Sequence, residues 1–171
     1  RITTCENPEE FVGKVELVIE AIAEELVPKC EIFATLDGLL APEVIFATTT
    51  SSLSVIELAA CTSRMDKFLG IHFFNPAPVM SLVEVVSTVA TELAVVDRCT
   101  QLMRELGKNP VLCSDRAGFI VNALLFPYLN NAIAMASSNY ATIEDIDTAM
   151  KLGCGYPMGP FELLDAVGLD V

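Results

Sequence analysis

His72 is the only histidine in the 171-residue chain, so any acid or base chemistry by an imidazole depends on this residue. It lies in GIHFFNP, at the carboxyl end of a predicted strand, which is where ligands bind in open α/β sheets. Glu84 lies in the apolar run LVEVV, where a carboxylate is costly without a partner. A carboxylate beside a histidine fixes its tautomer and stabilises the imidazolium formed on proton uptake. The alternative is a hydrogen-bonded core histidine and a glutamate that points outward from an edge strand.

Other polar side chains have a functional and a structural interpretation. Ser51 and Ser52 follow a predicted strand, so a hydroxyl there could bind a substrate oxygen or cap the next helix. Asn122, in GFIVN, would either face a ligand or join two helices by a hydrogen bond. Glu24 and Lys29 follow the strand VELVI and are either cofactor contacts or part of a solvated helix face.

The composition restricts the classes of partner. With 23 acidic against 10 basic residues, the net charge is −13, which disfavours nucleic acids and anionic membranes as partners. A hydrophobic content of 53% is sufficient for a packed core and excludes a disordered chain. Residues 117–143 carry no charge, but Asn122, Pro127, Asn130 and Asn131 interrupt them. This pattern predicts a buried helix rather than a membrane span.

The six cysteines are widely spaced and form no C-x-x-C pair. This spacing predicts neither a metal site nor a compact disulfide framework. Several of them lie in apolar surroundings, and we interpret these as small core residues of a protein from a reducing compartment.

Apolar runs and helical periodicity alternate over the first two thirds of the chain. Strands are predicted at residues 15–19, 44–47, 68–74, 82–87 and 110–113, and helices at 20–36, 54–60 and 91–106. This alternation predicts βαβ units and a mainly parallel sheet. Beyond residue 115 only helices are predicted, at 118–136, 142–152 and 160–167, with GCGYPMGP as a loop before the last. The chain is therefore predicted to be an incomplete doubly wound α/β domain, residues 1–115, and an all-α domain, residues 116–171.

A glycine-rich G-x-G-x-x-G loop does not occur in the sequence. In a doubly wound nucleotide-binding fold this loop belongs to the first βαβ unit. We therefore expect the first strand of this chain to be a later strand of such a sheet.

Five ordered segments together resemble the 3-hydroxyacyl-CoA dehydrogenase family, and they cover nearly all of the chain from residue 15 onward. They are VIEAIAEEL, FATTTSSLSV, GIHFFNPAPVMSLVEVV, GKNPVLCSDRAGFIVNALL and EDIDTAMKLGCGYPMGPFELLDAVGLD. The resemblance implies a Rossmann-type NAD-binding domain and a helical domain that forms a homodimer interface and covers the acyl-CoA. It also implies the oxidation of a 3-hydroxyacyl-CoA to a 3-oxoacyl-CoA.

The resemblance also implies roles for individual residues. His72 matches the catalytic base and Glu84 its carboxylate partner, while Ser51 and Asn122 match the groups that hold the C3 oxygen of the substrate. In the implied reaction His72 takes the hydroxyl proton and NAD takes the hydride. The residues implied at the cofactor are Glu24, Lys29, Thr49, Ser51 and Asn75.

Two departures from the family pattern affect the cofactor site. Thr49 stands where the family commonly has Asn, so its contact has a shorter reach. The glycine-loop unit and the end of the helical domain are both absent from the chain, which is therefore expected to be truncated at both ends. Without backbone donors for the pyrophosphate, the isolated chain is expected to bind NADH weakly or not at all. Low-micromolar binding in a fluorescence titration would contradict this expectation.

Two other functions are consistent with the same residues. One is a non-enzymatic structural relative of the fold, and the other is a hydroxy-acid dehydrogenase for a substrate without CoA. Chain-length preference and membership of a multifunctional protein are left open by the sequence. The expected compartment is the mitochondrial matrix in a eukaryote or the cytoplasm in a bacterium, with a peroxisomal location as an alternative.

Overall fold

The computed structural model describes residues 2–168, which divide into two compact units between Phe119 and Ile120. The first unit contains five strands, which are β1 (Leu17–Glu20), β2 (Ile45–Thr48), β3 (Phe68–Phe73), β4 (Leu82–Ser87) and β5 (Asn109–Ser114). Its helices are α1 (Leu26–Leu39), α2 (Val55–Ala59) and α3 (Leu93–Glu105). Short 3₁₀ helices occur at Pro8–Phe11 and Met65–Lys67.

The five strands form one sheet in the order β1-β2-β3-β4-β5. All neighbouring pairs are parallel except β3 and β4, which are antiparallel. The predicted α/β class with a mainly parallel sheet is therefore confirmed. In the register of the antiparallel pair, His72 lies directly opposite Glu84.

Side chains alternate between the two faces of the sheet, and each face has its own core. The face covered by α1 and α2 packs the buried residues Phe33, Leu36, Phe46, Val55, Leu58, Phe68 and Val86. The opposite face, covered by α3, packs Ala47, Leu69, Ile71, Val83, Val85, Val96, Cys99 and Met103. Because His72 and Glu84 alternate with Ile71, Val83 and Val85, they lie on the face of α1 and α2.

The predicted start of the first helix at residue 20 is wrong. Glu20 ends β1, and α1 begins only at Leu26. The Glu20 carboxylate accepts hydrogen bonds from Ile22 N at 2.6 Å and from the Lys29 ammonium group at 2.6 Å. These contacts hold the chain in a loop between strand and helix, which periodicity alone does not reveal.

Arg64 ties the end of α1 to the following strand. Its guanidinium group, which is 4% exposed, donates to Asp37 Oδ1 at 2.6 Å and to the carbonyls of Ala41 and Leu40 at 2.6 and 2.9 Å. It also lies 4.5 Å from the centroid of the Phe46 ring. The planar fork of arginine satisfies carbonyls that α1 leaves without helical partners.

We expect Arg64→Lys to lower the free energy of unfolding by about 3 kcal/mol, because lysine lacks the fork and leaves the half-buried carboxylate of Asp37 poorly paired. Urea unfolding followed by circular dichroism measures the change. The control is Arg98→Lys, since Arg98 is 54% exposed and lies 3.6 Å from the exposed Glu16. The control should change stability by at most about 1 kcal/mol. Equal effects of the two substitutions would contradict the structural role of Arg64.

The cysteines differ in part from the sequence interpretation. Cys30 and Cys61 form a disulfide between α1 and the turn after α2, so the interpretation as unpaired core residues does not hold for these two. Cys99 is a buried free thiol as expected, and burial raises its pKa to about 11. Cys5 and Cys154 are free and exposed.

The second unit consists of α4 (Val121–Ser137), α5 (Ile143–Cys154) and α6 (Pro160–Val167). Thr142 caps α5, since its Oγ1 accepts from Asp145 N at 3.1 Å. Asp147 of α5 caps α6 by accepting from Phe161 N and Glu162 N at 2.8 and 3.0 Å.

Gly159, in the GYPMGP loop, has no room for a side chain, because an added Cβ would lie 2.4 Å from Asp147. Over residues 2–168, no helix combines the length and the apolar character needed to cross a bilayer.

Candidate functional site

The antiparallel pairing of β3 and β4 brings an imidazole and a carboxylate into contact. His72 Nδ1 lies 2.8 Å from Glu84 Oε2, and the two side chains are 6% and 1% exposed. An ionised carboxylate can only accept a hydrogen bond, so Nδ1 carries the proton. Neutral His72 therefore presents Nε2 as an acceptor.

Ser51 is the next member of this arrangement. Its hydroxyl oxygen lies 3.0 Å from His72 Nε2, and with the tautomer set by Glu84 the hydroxyl donates to the ring. Ser51 itself is exposed, whereas the imidazole is buried. The line Ser51–His72–Glu84 thus runs from the surface into the sheet and can pass a proton at Nε2.

Two aromatic side chains surround the imidazole within the first unit. The ring centroids of Phe74 and Phe119 lie 4.7 and 5.4 Å from that of His72. Both rings are inclined by about 60° to the imidazole. Phenylalanine forms no hydrogen bond that could compete with those of His72 to Ser51 and Glu84. The two phenylalanines fix the ring plane and exclude water from its sides.

The interpretation of Ser51 or Ser52 as a helix cap is wrong. The cap of α2 is supplied by Asp115, the residue after β5, which accepts from Val55 N at 3.1 Å and Ile56 N at 2.8 Å. Asp115 also accepts from Ser54 Oγ at 3.3 Å. The Ser51 hydroxyl therefore has no capping role and is directed to the imidazole.

Glu24 holds the loop that carries Ser51. Its Oε1 accepts from Thr50 Oγ1 at 2.5 Å, Ser51 N at 2.8 Å and Ser52 N at 3.2 Å. Partial burial by itself would raise the pKa of Glu24. The hydrogen bonds from Thr50 and Ser51 and the nearby Lys29 outweigh burial, so the pKa lies below its ordinary value. Glu24 is therefore ionised at neutral pH.

Lys29 is fully buried rather than part of a solvated helix face. Its Nζ lies 2.6 Å from Glu20 Oε1 and 3.5 Å from Glu24 Oε2. Sequence reasoning missed Glu20, although an acidic residue at the end of an apolar strand is itself a signal of a buried partner. It also missed Asp115, the residue that caps α2.

Three further residues are predicted at the site. Thr49 is half-buried, and its backbone N–H donates to the Glu20 carbonyl at 3.0 Å. Asn75 is exposed in the loop after β3 and precedes a cis peptide bond to Pro76. Asn122 is half-buried in the first turn of α4, in the second unit. The roles of all three stay predictions.

Known protein families match both parts of the chain. Residues 1–116 match the NAD binding domain of 3-hydroxyacyl-CoA dehydrogenase, and residues 118–171 match the C-terminal domain of the same enzyme. The chain belongs to the 3-hydroxyacyl-CoA dehydrogenase family. The resemblance inferred from five segments is thereby confirmed.

Individual members of the family are similar over nearly the whole chain. The mitochondrial hydroxyacyl-coenzyme A dehydrogenase of Sus scrofa is 52% identical over 99% of this chain and 54% of its own length. The 3-hydroxybutyryl-CoA dehydrogenase of Mycobacterium tuberculosis is 48% identical over 91% of this chain and 55% of its own length. The solved (S)-3-hydroxybutyryl-CoA dehydrogenase of Ralstonia eutropha superposes with a TM-score of 0.93 at 40% identity. That alignment covers 97% of this chain and 58% of the solved one. The chain therefore spans about half the length of these relatives.

Proposed function

We propose that this chain supplies the acid–base centre of an NAD-dependent dehydrogenase that oxidises a 3-hydroxyacyl-CoA to a 3-oxoacyl-CoA. The observation that carries the proposal is the line Ser51–His72–Glu84, with contacts of 3.0 and 2.8 Å. Family membership supports the substrate class. The alternation of an exposed hydroxyl, a buried imidazole and a buried carboxylate supports the chemistry.

His72 acts as the base in the direction of alcohol oxidation. Its Nε2 takes the proton of the C3 hydroxyl as the hydride leaves the carbon that bears this hydroxyl. Glu84 stabilises the imidazolium that forms. In the reverse direction protonated His72 returns the proton to the oxygen of the 3-oxo group. The proton stays on the imidazole and is not passed on to the carboxylate.

Ser51 orients the substrate oxygen. A C3 hydroxyl that enters the site can take the place of the Ser51 hydroxyl as donor to Nε2, while Ser51 donates to that oxygen. This exchange keeps every polar group hydrogen-bonded and brings the reacting oxygen within reach of the base. The resemblance assigns Asn122 to the same oxygen, and this assignment stays a prediction.

The donor set at the carboxyl ends of β1 and β2 fits the nicotinamide end of NAD. The serine-rich loop after β2 offers an exposed hydroxyl, and the Asn75 amide after β3 is also exposed. When bound, NAD accepts the hydride. We propose that Thr49, Ser51 and Asn75 line this end, together with the exposed part of Glu24. Buried Lys29 has no free surface for such a contact and acts through Glu24.

Three broader assignments are part of the proposal. The reaction would serve fatty-acid β-oxidation or butanoate metabolism, and the protein would be a homodimer through its helical domain. The compartment would follow that of the relatives, which include mitochondrial and bacterial enzymes.

The test is NADH production by the full-length gene product from (S)-3-hydroxybutyryl-CoA, followed by absorbance. We expect turnover in both directions, with acetoacetyl-CoA and NADH as the reverse substrates. Free 3-hydroxybutyrate is the matched control, because it has the same reacting carbon without CoA. Faster turnover of the free acid would support the alternative function, a hydroxy-acid dehydrogenase that acts on a substrate without CoA. No turnover of either compound would support a structural relative without enzymatic activity.

A further inference from the structure

Three charged side chains at the carboxyl ends of β1 and β2 form a connected series. Glu20 and Lys29 are 5% and 0% exposed, whereas the Glu24 side chain is 40% exposed. Lys29 Nζ lies between the two carboxylates, 2.6 Å from Glu20 and 3.5 Å from Glu24. One buried ammonium group thus contacts two carboxylates, one at the end of β1 and one in the loop that follows it.

The inner end of the series is fixed to the sheet. Glu20 Oε2 accepts from Thr48 Oγ1 at 2.7 Å, and Glu20 Oε1 accepts from Ile22 N and from Lys29. Thr48 is the last residue of β2 and is fully buried. Glu20 therefore joins the ends of the two neighbouring strands, and its position is set by the backbone of both.

The outer end of the series is fixed to the loop of Ser51. Glu24 accepts from Thr50 Oγ1, from the backbone N–H groups of Ser51 and Ser52, and from Ser52 Oγ. The bond to Ser51 N is the shortest of the backbone contacts, at 2.8 Å. The hydroxyl of this same residue reaches His72 Nε2, so a shift of the loop would alter that contact directly.

We propose that Glu20 and Lys29 are positioning residues, which hold Glu24 and thereby set the Ser51 hydroxyl against His72. This inference rests on the proposed function. Buried charges are costly, and an apolar pair of the same volume would pack at least as well. The Glu20–Lys29 pair extends through Glu24 to the loop of Ser51, and we explain its presence by its effect on that loop.

The test compares two charge-removing double variants in the full-length gene product. Glu20→Gln/Lys29→Met removes both buried charges at once, which leaves neither of them unpaired. The control Asp66→Asn/Lys67→Met removes a partly exposed ion pair with a 3.0 Å contact, away from Ser51. Each is made with Ser51 present and in a Ser51→Ala background, and kcat, KM and the Kd of NADH are measured.

With Ser51 present, we expect Glu20→Gln/Lys29→Met to lower kcat about tenfold with little change in the Kd of NADH. In the Ser51→Ala background we expect the same double variant to have almost no effect on kcat, because the effects of coupled residues are not additive. The control should leave kcat unchanged in both backgrounds. An equal loss in both backgrounds would overturn the proposal, as would no loss at all. A weaker NADH affinity without a loss of kcat would show instead that Lys29 acts on the cofactor.

A measurement without substrate separates this inference from the proposed function. The ¹⁵N resonance of His72 Nε2 reports its hydrogen bond to Ser51, and a His72→Gln sample assigns the signal. We expect Glu20→Gln/Lys29→Met to move this resonance to the position found in Ser51→Ala, and the control to leave it in place. If the wild type shows this response without dehydrogenase activity, the positioning role stands and the proposed function fails. An unmoved resonance overturns the positioning role.

Discussion

Replacement of His72 by glutamine is expected to lower kcat for 3-hydroxyacyl-CoA oxidation about 10³-fold, because general base catalysis by a positioned side chain contributes 10²–10⁴-fold. Glutamine can donate to Glu84 and accept from Ser51, so it preserves both contacts of the imidazole. It cannot take a proton at neutral pH. KM should change little, since the lost interaction belongs to the transition state. Steady-state kinetics in both directions measure the effect.

The matched control for this substitution is Glu57→Gln, an exposed residue of α2. It should retain the activity of the wild type and its unfolding temperature. Thermal unfolding of the His72 variant distinguishes a chemical loss from a folding defect. Retention of His72→Gln activity to within about tenfold of wild type would show that another group takes the proton.

Replacement of Glu84 by glutamine is the prediction with the next largest effect. The amide oxygen can still accept from His72 Nδ1, so the tautomer is kept, but the negative charge beside the developing imidazolium is lost. We expect kcat to fall about 10²-fold, which corresponds to about 2.7 kcal/mol of transition-state stabilisation. Steady-state kinetics with saturating NAD measure the change.

The Glu84 variant also has an expected effect on stability. Glu84 is 1% exposed, and a glutamine of nearly the same size keeps an acceptor for His72 Nδ1 in its place. We therefore expect Glu84→Gln to change the free energy of unfolding by less than Arg64→Lys does, under the same urea conditions. A stability loss that accounts for all of the lost activity would argue that Glu84 only supports the fold.

The bounds of several elements follow directly from the sequence. The strand at residues 82–87 and the helix at 160–167 agree with the structure at both ends. The strand is a short apolar run and the helix begins at a proline, so local chemistry decides the limits of both. The predicted start of the first helix is wrong because Glu20 stays in β1 and pairs with Lys29, and its position in the sequence signals a buried partner without identifying which residue that is.

Only part of the candidate site could be predicted from residue types. A single histidine and a glutamate in an apolar strand identify the pair, and the family motifs identify Ser51. Their contact depends on the antiparallel register of β3 and β4, which the expectation of a mainly parallel sheet did not include. Asp115 is 60 residues away from Val55, the residue whose N–H it accepts, so no sequence pattern connects it to α2.

The disulfide between Cys30 and Cys61 shows the same limit. The two residues are 31 positions apart, and neither stands in a motif. They meet because α1 and α2 cover the same face of the sheet, which is a consequence of the crossover connections and not of the cysteine spacing.

A double-mutant cycle between His72 and Glu84 tests most directly whether the carboxylate acts through the imidazole. The kcat values of wild type, His72→Gln, Glu84→Gln and the double variant are measured under one set of conditions. We predict that the double variant is no slower than His72→Gln, because without an imidazolium the charge of Glu84 has nothing to stabilise. A double variant whose loss equals the product of the two single losses would contradict the proton-transfer role of the pair.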